Sequence, residues 1–129
     1  MEREQIDPWM WQEPYGFSHA WRVRGADEIV FVSGQASVDA DGQVQHPDDV
    51  AAQTRLTYEN LQTVLARSGA SLQDVVKQTV YLVGTEHLGE FGQVAAEFLQ
   101  GHRPAQTVVG CEALALPGMR VEVEVIAVR

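Results

Sequence analysis

From Val75 to Phe98 the chain changes its period. Val75-Val76-Lys77-Gln78-Thr79-Val80-Tyr81-Leu82-Val83 is a valine-rich run that reads as a long strand. Thr85 is placed to cap a helix. Leu88, Phe91, Val94, Ala95 and Phe98 then recur at i, i+3 and i+4, the apolar stripe of a helix that Gly101 ends. A strand followed at once by a helix with one apolar face commits the segment to layers, because that face has to be laid on a sheet.

The same pairing occurs upstream. Glu28 to Gly34 is a mostly apolar, β-branched run and predicts a buried strand. Pro47-Asp48-Asp49 suits a helix start, since proline fits the first turn and the aspartates favour the positive end of the helix dipole. Val50, Thr54, Leu61, Val64 and Leu65 follow at helical spacing, and Gly69 is a left-handed stop. Trp21 to Arg24 alternates as a short strand, Asp39 to Gly42 is a turn, and Gln106 to Val109 and Arg120 to Val128 supply the last strands. With a small extra strand near Val44, the order is β-β-α-β-α-β-β. This is an α+β chain, a single mostly antiparallel sheet with two helices on one face. Valines on both faces of the strands predict that the second face is covered too, most simply by another subunit.

At 129 residues the chain forms one domain, 1–129, with residues 1–14 as an N-terminal arm. No apolar run approaches the roughly 20 residues of a membrane span. Met1-Glu2-Arg3-Glu4-Gln5 leads into no apolar secretory segment, so a cytoplasmic location and no membrane partner are expected. The net charge is −9, from nine basic and eighteen acidic residues, without a basic stretch. Phosphate backbones repel such a chain, so nucleic acid is not an expected partner. The histidines at 19, 46, 87 and 102 form no i, i+4 pair, and with one cysteine no cysteine-built zinc site is possible, so no metal is expected. His87 and Glu90 share a helix face as a surface contact. Cys111, beside a turn at Gly110, is expected as a small buried thiol. No Gly-rich phosphate loop and no nucleophile elbow occur, and no cofactor is expected.

Two patterns carry candidate chemistry. Glu122 and Glu124 point to one face of the last strand together with Ile126 and Val128. They form either a solvated sheet face or, beside those apolar neighbours, a partly buried pair able to orient a water. Ser33-Gly34-Gln35 is either a strand end with a turn glycine or a hydroxyl and backbone donors at the rim of a cleft.

Arg103-Pro104-Ala105-Gln106-Thr107-Val108-Val109-Gly110, then Pro117-Gly118 and Val121 to Val128, resemble the C-terminal signature of the RidA/YjgF family, the enamine/imine deaminases. Ser33-Gly34-Gln35 and Tyr15-Gly16-Phe17-Ser18-His19-Ala20 match further family stretches, and the resemblance runs from about Tyr15 to Arg129. It implies a chorismate-mutase-like fold and a homotrimer with small-molecule clefts between subunits. It implies that Glu122 positions the attacking water and that Ser33 touches substrate. Phe17 stands where a cleft tyrosine is usual, and Gln106 stands where an arginine holds the substrate carboxylate. Loss of that charge-assisted contact costs on the order of 1.5–3 kcal/mol. Standard deamination of carboxylate-bearing imines is therefore not expected, unless the nearby Arg103 supplies the cation. A glutamine addresses a carbonyl or amide as donor and acceptor. Three functions follow as expectations: a hydrolase or deaminase of C–N bonds in a small imine or enamine, a non-enzymatic small-ligand-binding trimer, and a ribonuclease, which the negative charge disfavours.

Overall fold

The computed structural model describes residues 1–129. Six strands and two helices follow in the order β1 (Glu2–Ile6), β2 (Ala20–Arg24), β3 (Ile29–Ala36), α1 (Val50–Arg67), β4 (Val75–Val83), α2 (Leu88–Leu99), β5 (Ala105–Cys111) and β6 (Val121–Val128). The class is α+β.

The main sheet has the strand order β3-β6-β4-β5. β6 runs antiparallel to both β3 and β4, whereas β4 and β5 are parallel. Each helix thus bridges two parallel strands, and the C-terminal strand fills the gap left between β3 and β4. The expected single sheet is divided, because β2 pairs with β1 in a separate antiparallel hairpin. Residues 2–6 of the expected arm are therefore a strand. The hairpin joins the main sheet at an isolated parallel bridge from Ser18 to Ala105, and the Trp21 indole donates to the Arg103 carbonyl at 2.9 Å.

Local chemistry sets the helix ends. Asp49 caps α1 and accepts the Ala52 N–H at 3.1 Å. Pro47 lies before the cap, and Asp48 adopts φ 64°, so neither belongs to the first turn. The buried stripe of α1 is Val50, Thr54, Tyr58, Leu61 and Leu65, and Val64 lies outside it. Thr85 does not cap α2. It opens a short 3₁₀ turn over Thr85–His87, and α2 begins at Leu88. The apolar period there was readable, but the extra turn carries no apolar signal.

Further expectations are corrected by strand position. β3 is an edge strand rather than a buried one, with Ile29 and Phe31 exposed. It continues past Gly34 to Ala36 through a bulge between Val32 and Gln35. Gly110 lies within β5, not in a turn, and the Cys111 thiol is half-buried, 3.6 Å from the Leu82 carbonyl. The strand expected near Val44 is a single bridge to Val38.

One apolar core lies between the helices and the main sheet. Tyr58, Leu61, Leu65, Val80, Leu82, Val121 and Val123 are fully buried in it. Gln53, also fully buried, donates to the carbonyls of His46 (2.9 Å) and Gly118 (2.7 Å) and accepts the Arg120 N–H (2.7 Å). That side chain fastens the loop before β6 to the start of α1. No helix is long and apolar enough to cross a membrane.

Candidate functional site

The strand pleat decides where each candidate side chain goes, because successive residues alternate between faces. Gln106 shares its parity in β5 with Val108, which packs against the core, so it faces the helix side of the sheet. There α2 stops short of covering β5 and leaves a cleft of about 1040 Å³. Phe17, Arg103 and Gln106 all line this cleft, with Trp11, Phe91 and Val108 among its walls. Trp11 and Phe17 meet edge to face at 5.8 Å, and both pack in the same way on His19. Asp7 lies 3.7 Å from Arg103 and also accepts the His19 N–H at 2.8 Å. The Arg103 charge is therefore opposed before any ligand arrives.

Ser33 and Glu122 lie on the other side of the same sheet. Glu122 and Glu124 share that open face with Ile126, while Val121, Val123, Val125 and Ala127 are buried beneath the helices. Ser33 sits at the β3 bulge, in a shallow depression of about 410 Å³ that also contains Lys77, Thr79 and Glu124. A Cβ on Gly34 would stand 2.8 Å from Cδ and 2.9 Å from Cγ of Glu122, so only glycine lets the Glu122 side chain lie across the bulge. Glu124 accepts a 2.6 Å hydrogen bond from Tyr81. This bond raises the phenol above its ordinary range, with desolvation and the negative charges of Glu124 and Glu122 adding to the effect. Glu124 thus has a partner inside the chain, whereas no side chain of the chain donates to Glu122.

A single subunit therefore gathers Phe17, Arg103 and Gln106 in one place and Ser33 and Glu122 in another. Gln78 was missed by sequence reasoning. It is 1% exposed, donates to Gln106, and accepts from the Tyr58 hydroxyl at 2.9 Å. The signal was available, since Gln78 takes the same parity as the core residues Val80 and Leu82 in an apolar strand. Trp11 was missed as well, although Trp9-Met10-Trp11 is a conspicuous apolar group within the otherwise polar arm. No cluster of three or more His, Cys, Asp or Glu side chains offers a metal site.

The family model described as endoribonuclease L-PSP matches residues 12–129, and the chain belongs to that family, the RidA/YjgF family. It is 34% identical to Protein HMF1 of Saccharomyces cerevisiae over 111 residues, 86% of this chain and 82% of the relative. Among solved structures it is similar to YyfB of Yersinia pestis, a Rid-family protein of unknown function, with a TM-score of 0.89, 33% identity and full coverage of both chains. It is also similar to TdcF of E. coli, solved with bound serine, with a TM-score of 0.71 and 29% identity over 88% of this chain and 87% of that one.

Proposed function

We propose that this protein is a homotrimer whose subunits complete small-molecule clefts between them, and that it hydrolyses the C–N bond of a small imine or enamine. The observation that carries this reading is the division of the candidate residues between two faces. The aromatic cleft, with Gln106, Phe17 and Arg103, opens beside the β5 edge. Glu122 and Ser33 stand on a face where Phe31 is 75% exposed, a large apolar ring that a neighbouring subunit would cover. Setting the open face of one subunit against the cleft of the next brings both sets together. The bound serine of TdcF supports a ligand of comparable size.

In this reading Gln106, Ser33, Phe17 and Arg103 hold the substrate and Glu122 accepts a proton from a water as its oxygen attacks the C=N carbon. That proton passes to the nitrogen to give a carbinolamine, whose hydroxyl proton is then moved by Glu122 to the same nitrogen as the C–N bond breaks, and a carbonyl compound and an amine or ammonia leave. Glu122→Gln keeps the shape and removes the base. It should lower ammonia release from an enzymatically generated imine by about a hundredfold or more, and Glu124→Gln should do much less. Equal effects of the two changes would refute the assignment of Glu122.

A second reading is a ligand-binding trimer without chemistry. The neutral Gln106 and the hydroxyl-free Phe17 favour it, and it is distinguished by ligand binding without turnover in any such assay. The ribonuclease reading rests on the description of the family model and on the names of two similar solved structures, from Thermotoga maritima and Entamoeba histolytica, which carry the word endoribonuclease. With a net charge of −9, RNA binding should be absent at physiological salt.

A further inference from the structure

The cleft contains an oriented hydrogen-bond relay that the Rid-family reading does not require. Tyr58 has no exposed surface, and its hydroxyl has one partner, the Gln78 side-chain oxygen at 2.9 Å. Its proton needs an acceptor, and Gln78 Oε1 is the one within reach. The reversed amide would leave a buried hydroxyl proton unpaired, which is costly. Gln78 is therefore fixed with Oε1 toward Tyr58 and Nε2 toward Gln106. Gln106 must then offer Oε1 to Gln78. Its own Nε2 makes no hydrogen bond within the subunit, and the residue lines the cleft. The amide is thus held with its NH2 group free for a ligand and its oxygen turned back toward Gln78, which occupies one of its two lone pairs. The one cation in the lining, Arg103, lies 3.7 Å from the Asp7 carboxylate, so the pair carries no net charge, and the Arg103 Nη1 has no hydrogen-bond partner.

We propose that Tyr58 and Gln78 are positioning residues that hold Gln106 as a hydrogen-bond donor, so that the cleft selects ligands presenting an uncharged acceptor, a ketone, lactam or amide carbonyl, between aromatic walls. This rests on the small-molecule cleft of the proposed function and narrows it. A free glutamine would serve donors and acceptors alike. A glutamine locked from behind turns its NH2 group to the ligand and so favours acceptors, and that uncharged group offers a carboxylate no compensating charge.

The test uses three probes of similar size: N-methylpyrrolidinone, an acceptor only; pyrrole, a donor only; and pyruvate, a carboxylate. The isotope-labelled 129-residue chain is titrated with each while the side-chain amide of Gln106 and the resonances of Phe17 and Val108 are followed by NMR. The acceptor should bind about tenfold more tightly than either other probe and should move the Gln106 amide protons. Tyr58→Phe lies outside the cleft and should bring acceptor and donor to within about threefold of each other. Gln78→Met keeps the length of the side chain and removes the donor behind Gln106, which frees that amide to turn. It too should bring acceptor and donor to within about threefold of each other, so the relay stays testable if Tyr58→Phe fails to fold. A purely structural role for either residue would weaken all probes together and leave their ratio unchanged. Equal binding of pyrrole and N-methylpyrrolidinone, or tightest binding of pyruvate, would overturn the relay and leave the cleft standing. No perturbation of Phe17 or Val108 by any probe would overturn both.

Discussion

β6 presents two different surfaces within eight residues. Toward the helices it sends Val121, Val123, Val125 and Ala127, each at most 2% exposed. Toward the other side it sends Glu122, Glu124 and Ile126, all half-buried. The first face is finished by α1 and α2 from the same chain. The second is finished by nothing in the chain, yet it carries Phe31 and Ile29 from β3 beside a paired Tyr81 and Glu124. A sheet face meant only for water rarely keeps large rings together with carboxylates held by hydrogen bonds. The difference teaches that the core is closed on one side of the sheet, while the base of the proposed chemistry stands on the other.

The largest effect should come from breaking the finished face. Leu61 is fully buried in the core, and Leu61→Ala should destabilise the chain by about 2–5 kcal/mol through lost burial and a residual cavity. Denaturant unfolding should show this loss at every protein concentration. An effect within about 0.5 kcal/mol, the size expected at a solvated surface, would mean that the helix layer is not the main source of stability.

The open face should respond differently. Phe31→Asp places a charge where an apolar contact is proposed, and it should reduce the mass in light scattering from that of a trimer to that of the single chain. It should also remove any dependence of stability on protein concentration, the mark of a fold linked to assembly. Loss of stability in Phe31→Asp with no change in mass would sharpen the comparison against the trimer, because the face would then matter to the subunit alone.

On the cleft side of the sheet, Gln106→Arg should strengthen pyruvate binding by about ten- to a hundredfold, the value of a charge-assisted contact. Titration calorimetry on both proteins reads this directly. Tight binding by the unmodified protein, unchanged by the arginine, would show that Arg103 already supplies the cation despite Asp7.

The layers were legible because their signals are periodic. The stripe from Leu88 to Phe98 and the valines of β4 and β6 each state a face. What stayed hidden depends on neighbours that no local pattern names. β3 is as apolar as an interior strand, but its place at the sheet edge is set by β6 pairing between β3 and β4. β1 is a charged segment, Glu2-Arg3-Glu4-Gln5-Ile6, whose strand character comes from pairing with β2. The candidate residues were readable one by one through the family resemblance. Their separation onto two faces follows from the pleat of β5 and β6, and the Gln78 contact follows from the parallel register of β4 and β5, which aligns Gln78 with Gln106.

The smallest effect at neutral pH, and the finest test of the two faces, lies in two tyrosines. Both Tyr58 and Tyr81 have pKa values raised above the ordinary value of about 10, for different reasons. Burial under the helices dominates for Tyr58, while the hydrogen bond to Glu124 dominates for Tyr81. A tyrosine with a raised folded pKa contributes stability that is present below its unfolded value and is lost as pH rises through the folded one. Neither residue should therefore affect stability near neutrality through ionisation, and both should oppose folding increasingly above about pH 10. Glu124→Gln removes the carboxylate that holds the Tyr81 proton. In a phenolate absorbance titration it should move one tyrosine to lower pH and leave Tyr58 where it was. Tyr81→Phe should delete that same transition. If Glu124→Gln shifts no tyrosine, the Tyr81–Glu124 pair is absent in solution and the open face is less ordered than the helix-covered one. If it shifts Tyr58 as well, the two faces are coupled through the sheet rather than independent.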